Sequence, residues 1–134
     1  VASFNKFNSF VEALSEGVHN LGADTLTIAL TNSAPAAANT VLANITEISY
    51  SNISSRVLTS VTSAQTGGTY TLDAADLVLT ASGTVPTFRY VALYNDTATS
   101  DELIGYYDYG SAVDLLNGET FTITFDASGI LTLA

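Results

Sequence analysis

The chain has no cysteine, no tryptophan and no methionine, and His19 is its single histidine. Only three side chains, Lys6, Arg56 and Arg89, carry positive charge. Without cysteine there is no disulfide, no thiolate metal centre and no thiol nucleophile. Nucleic-acid affinity comes largely from Lys and Arg neutralising phosphates, and three scattered cations build no such footprint. The same shortage argues against docking on anionic membranes. No apolar run approaches the roughly 18 residues of a membrane helix. The opening stretch "VASFNKFNSFVEAL" breaks its apolar residues with Asn, Lys, Ser and Glu, unlike a secretory h-region. The expectation is a soluble protein made in the cytoplasm, where lack of cysteine suits a reducing environment. The nucleophile elbow G-x-S-x-G, the phosphate loop G-x-x-x-x-G-K and the dinucleotide fingerprint G-x-G-x-x-G are all missing, so no cofactor is expected. A glycosidase needs only two carboxylates at a suitable separation. Such clefts are usually aromatic-lined, however, and tryptophan is absent. The chain therefore reads as non-enzymatic.

What is present describes a folded domain. Hydrophobic residues make up 47% of 134 residues and charged ones only 12%, the balance of a globular chain and not a disordered one. That length fits one domain, residues 1–134, able to bury its own core. The net charge of −10 suits solubility and mutual repulsion of outward faces.

Hydrophobic periodicity divides the chain at about residue 22. In residues 1–22, Phe4, Phe7, Phe10, Val11, Leu14 and Val18 recur at three- and four-residue spacing, which predicts one amphipathic helix. Ser3 is its expected N-cap and Gly17 or Gly22 its end. The apolar stripe must dock either on the domain's own sheet or in a neighbouring subunit. His19 is expected at the helix end, near the terminal carbonyls.

From residue 23 onward the period falls to two. "TLTIALT" (25–31) reads as a half-buried strand with its threonines outside. "NSAPAAAN" (32–39) is a loop, and "TVLANITEI" (40–48) is one or two helical turns or irregular. Strands are expected at 56–65, after which "TGG" turns the chain, and at 69–82 with a break near Ala74–Ala75. Further strands are expected at 88–96, 103–110, 120–126 and 130–134. Phe121, Ile123 and Phe125 should face inward. Seven or eight short strands without βαβ alternation predict a mainly β fold, an antiparallel sandwich or jelly-roll-like barrel over 23–134 with one N-terminal helix.

"RYVALYNDTATSDELIGYYDYG" (89–110) packs five tyrosines and four acids around one polar loop. It could be a pocket, a calcium loop or a hairpin. Strict alternation puts Phe88, Tyr90, Ala92 and Tyr94 on one face and Arg89, Val91, Leu93 and Asn95 on the other, both largely apolar. That predicts a central strand. The return strand would place Leu103, Tyr107 and Tyr109 opposite Ile104, Tyr106 and Asp108. Asp96, Asp101 and Glu102 lack the glycine and spacing of a calcium loop, so a turn is expected and no metal. Asp108 is either exposed or a partner for Arg89. Three N-x-S/T triplets, at Asn44, Asn52 and Asn95, carry little weight in so Ser- and Thr-rich a chain.

"FVEALSEGVHNLGADTLTIALTNSAP", "FRYVALYNDTATSDELIGYYDYG" and "NGETFTITFDASGILTLA" together resemble small virion proteins of tailed bacteriophages. The resemblance spans nearly the whole chain but rests on order and spacing of apolar strands, with no catalytic signature. It implies a virion component assembled in the host cytoplasm, with the major capsid protein or other virion proteins as partners. A capsid decoration (cement) protein is the favoured role. It implies a homo-oligomer, with a trimer typical of such proteins, and neither nucleic acid nor membrane as partner. A neck, tail or fibre module and a carbohydrate-binding β-sandwich are the alternatives. In the last, Tyr94, Tyr106 or Tyr109 would be the stacking platform. Candidate contact residues are Phe4, Phe7 and Phe10 from the helix and Tyr106, Tyr107 and Tyr109 from the strand, since Tyr is enriched at interfaces.

Overall fold

In the computed structural model, which describes residues 2–134, alternation wins over helix formation almost everywhere. Nine strands and one short helix form: β1 (Asn5–Lys6), α1 (Phe10–Ser15), β2 (Leu26–Thr31), β3 (Thr62–Thr66), β4 (Thr69–Asp73), β5 (Leu77–Thr80), β6 (Val85–Asn95), β7 (Leu103–Leu115), β8 (Thr120–Ile123) and β9 (Leu131–Leu133). They pair antiparallel in three sheets, of order β1-β7-β6-β2, β3-β4-β9 and β5-β8. The fold is mainly β and sandwich-like, as the two-residue period predicts.

The main core lies between the four-stranded sheet and the two smaller ones. Ile28 and Leu30 of β2, Val91 and Leu93 of β6 and Ile104 of β7 meet Leu72 of β4, Leu79 of β5, Ile123 of β8 and Leu131 of β9. A second cluster covers the opposite face of the large sheet. It gathers Phe7, Ala29, Ile45, Ala92, Tyr94 and Leu103, with Leu42 and Tyr106 packed on it. The large sheet is therefore buried on both faces at its centre, which explains the apolar run of β6.

That second layer overturns the half-exposed reading of β2. Thr27 and Thr31 are buried with the rest of the strand, and Ala29 between them packs with Ile45 and Leu42 of the irregular 40–48 segment. Within that segment a single 3-10 turn, Leu42–Asn44, forms. Asn44 Oδ1 accepts the amides of Thr40 and Val41 there.

The expected long helix does not form. Helix α1 spans only six residues, and the chain ahead of it is extended, with Asn5 opposite Tyr106 and Lys6 opposite Gly105. Phe4 crosses Gly105 so closely that a Cβ there would lie 2.2 Å from the Phe4 ring. Only glycine admits that crossing. The predicted "TGG" turn does form: Gly67 and Gly68 take φ of +58° and +87° between β3 and β4.

Strict alternation also fails inside the β6–β7 hairpin. The register slips between Phe88 and Tyr90 and between Leu93 and Tyr94. Phe88 consequently joins Val91 and Leu93 in the main core, whereas alternation sets it with Ala92. Leu103 joins the second cluster, and Ile104 and Tyr107 share the main core. Bulges shift the faces by one residue, which no two-residue pattern anticipates.

Candidate functional site

The six candidate contact residues separate into a buried set and a surface set. Phe7 and Phe10 are 0% and 1% exposed, packed in the second cluster and the main core respectively. They are not available as a contact surface in the folded chain, whereas Val11 and Val18 of the same stripe remain exposed. Tyr106 is half-buried, with its ring 5.2 Å from that of Phe7. Phe4 and Tyr107 pack edge to face at 5.7 Å where β1 meets β7. Tyr109, 55% exposed, is the one most open to solvent.

Beside Tyr109 the structure builds an aromatic ladder. Phe88 in the core meets Phe121 at 5.3 Å and 86°, and Phe121 meets Tyr109 at 5.1 Å and 77°. Edge-to-face pairs of this kind contribute roughly 0.5–1.5 kcal/mol each beyond the area they bury. Tyr109 and Phe121, with Ala2, Val91, Tyr107, Thr122, Ile123 and Thr124, line an open, mostly apolar groove of about 210 Å³, and Phe88 lies buried beneath Phe121. Phe121 faces inward with Ile123 and Phe125, as the alternation predicts, and packs half-buried against the main core at the edge of this groove.

Tyr107 separates this groove from a second one, of about 450 Å³, between residues 2–4 and 128–132. Burial, and then the neighbouring Asp73 and Asp126, push the Tyr107 phenol up to about 12. It stays neutral and can donate a hydrogen bond.

The acids do not converge. Asp108 takes Arg89 in a two-pronged ion pair at 2.8 and 3.0 Å, one of the two alternatives the sequence leaves open for it. Its Oδ1 also accepts the Gly110 amide. These bonds, the Arg89 contact foremost, hold its carboxyl below the usual range. The 96–102 stretch is a turn, in which Asn95 Oδ1 accepts the amides of Thr97 and Ala98. Among the described residues no three His, Asp or Glu side chains are placed to hold a metal ion. No helix there is long and apolar enough to cross a membrane.

One buried polar network escaped the sequence reading. Asn95, wholly buried, donates from Nδ2 to Asp24 Oδ2 at 2.6 Å and to His19 Nδ1 at 3.0 Å. His19 is thus a buried acceptor resting on Phe10, four residues past the end of α1, and not a helix cap. Among the described residues, its Nε2 and Glu102 Oε2 are buried and find no hydrogen-bond partner. Burial lowers its pKa, against the pull of Glu102 and Asp24. No local signal marks this network, since Asn95 lies 76 residues from His19. Compared with known proteins, the chain matches no family model, no curated protein and no solved structure.

Proposed function

We propose that this chain is a non-enzymatic virion structural protein that acts as a capsid decoration protein, binding the assembled shell of the major capsid protein and stabilising it. The mechanism is mass action. A protein that binds only the assembled shell lowers the free energy of that state. The observation that carries the reading is the aromatic groove at the surface, lined by Tyr109 and Phe121 and backed by the Phe88 ring beneath them. Interfaces concentrate binding energy in such aromatic anchors. The resemblance of three sequence stretches to small virion proteins of tailed phages and the net charge of −10 support the same reading, with self-association as a trimer on the shell as part of it.

Two measurements test it. Quantifying the protein in purified particles should give hundreds of copies. Roughly a dozen or fewer would place it at a neck or tail, where rings of low symmetry operate. Tyr109→Asp should weaken particle binding by roughly tenfold or more while the domain stays folded, since that ring is mostly solvated. Phe7→Asp should unfold the domain, because it buries a charge at a fully enclosed site. Undiminished binding of a folded Tyr109→Asp variant would refute the groove as the contact.

A carbohydrate-binding role is the second reading. Tyr94 is buried and Tyr106 is packed on Phe7, so only Tyr109 could stack on a sugar, next to the Thr122 and Thr124 hydroxyls. A glycan array without hits at high concentration would count against it.

A further inference from the structure

Asn95 is the centre of the buried polar chain at the end of the main core. Its Oδ1 accepts the Thr97 and Ala98 amides at 3.0 and 3.2 Å, which fixes the orientation of the side-chain amide. Nδ2 is therefore the atom that meets His19 Nδ1 at 3.0 Å, and it can only donate. Because Nδ1 accepts, the neutral ring carries its proton on Nε2. That Nε2–H is a buried donor and Glu102 Oε2 a buried acceptor, and neither has a partner among the described residues. The backbone brings the two together. The Asn95 amide donates to Glu102 O at 3.0 Å, one step beyond the Tyr94–Leu103 pair of the β6–β7 hairpin. Opposite residues of an antiparallel pair project from the same face with Cβ atoms about 4.5–5.5 Å apart. Glu102 thus leaves the sheet beside the Asn95 side chain, which touches His19.

We infer that Glu102 is the acceptor for His19 Nε2–H through one shared buried water, and that Asp24, Asn95, His19 and Glu102 form a pH-sensitive clasp. The water supplies what each side lacks: its oxygen accepts from Nε2 and its hydrogen goes to Oε2. At the far end of the chain, Asp24 Oδ2 accepts both Asn95 Nδ2 and the Asn20 amide. The clasp therefore joins the 19–25 segment to the 95–102 turn. The same two segments are tied by the Asp96 amide on Thr25 O and the Thr25 amide on Thr97 Oγ1. Acid acts on the clasp in two opposed ways. Protonation sets an Nδ1–H against the Asn95 donor, which breaks that link. The same charge strengthens the link to Glu102. Burial lowers the His19 pKa, and Glu102, ahead of Asp24, pulls it back up, so the net effect of acid is loosening. Phe10 of α1 packs on the ring without charge, and Tyr70 of β4, which shares an open groove with His19, is hydrogen-bonded to Ser63. The clasp does not depend on the decoration reading.

The test follows the full chain by NMR and crystallography. Near neutral pH the ring nitrogen shifts should place the His19 proton on Nε2, and that proton should exchange slowly with solvent. A crystal structure should show one ordered water within hydrogen-bond reach of both Nε2 and Oε2. The Glu102 carboxyl carbon should respond at the His19 midpoint as well as at its own, as coupled groups do. Glu102→Gln keeps an acceptor and removes the charge. It should move the His19 midpoint to lower pH and steepen the fall in melting temperature between about pH 6.5 and 5, while melting near pH 8 stays close to that of the parent. A proton on Nδ1, an Nε2 proton that exchanges like that of a free imidazole, or no water bound to both atoms overturns the inference. These three readouts need only the parent chain. A folded Glu102→Gln variant with an unmoved His19 midpoint overturns it as well.

Discussion

At the scale of single residues, His19 makes the sharpest statement, because it is the chain's single histidine and is buried as a neutral acceptor. Protonation would turn Nδ1 into a donor facing the Asn95 amide, which has only donors on that side. The folded-state pKa is lowered, so the neutral ring is the form that folding favours. Its contribution is fully present above the unfolded value of about 6.5 and is lost as pH falls below it. Asp24 and Glu102 moderate the loss by attracting the imidazolium. Two results are expected. The imidazole should titrate in NMR with a midpoint below 6.5. His19→Gln should flatten the decline of melting temperature between about pH 6.5 and 5 relative to the parent chain. A midpoint at or above that of a free imidazole would contradict the buried-acceptor assignment. The residue scale is also where sequence is least readable. The Arg89–Asp108 pair could be anticipated because a hairpin brings the two strands together. The His19–Asn95–Asp24 network could not, because its partners meet only when the 16–24 turn closes over the end of the core.

Elements were more legible, and their errors have a common cause. Strands were placed well wherever one face is wet, as at 120–126, where buried Ile123 and Phe125 alternate with exposed threonines. They were misread where a second layer covers the sheet, as at β2, or where a bulge moves the faces, as at Phe88 and Leu103. The N-terminal segment is the largest error. Phe4, Phe7 and Phe10 satisfy a helical spacing, yet Phe4 and Phe7 reach opposite faces of the large sheet, which only an extended chain permits. What secures this docking is Gly105. Gly105→Ala would drive a methyl into the Phe4 ring and towards the Asn5 carbonyl. It should cost about 1–3 kcal/mol in urea unfolding, the usual range for overpacking. Phe4→Ala combined with Gly105→Ala should recover part of the Gly105→Ala loss, a coupling that a double-mutant cycle measures directly. Strict additivity would mean that the two groups do not meet.

For the whole molecule, periodicity sufficed to read the class of fold, since burying one face of each strand is a global requirement that every strand records. The candidate site was only partly legible. Tyr109 stands out in the sequence as a tyrosine on a half-wet strand, but the groove beside it depends on which strands lie next to one another, and strand order is not written in local pattern. Net charge is the whole-molecule property that governs association of the copies with one another. Copies carrying −10 repel, and salt shortens the reach of that repulsion from about 30 Å at 0.01 M to about 10 Å at 0.1 M. Self-association of the protein as a trimer should therefore strengthen as salt rises. Sedimentation of the protein alone across that salt range should show the mean mass rising with salt. Association that stays constant or falls would mean that the acids take no part in opposing the contact between copies.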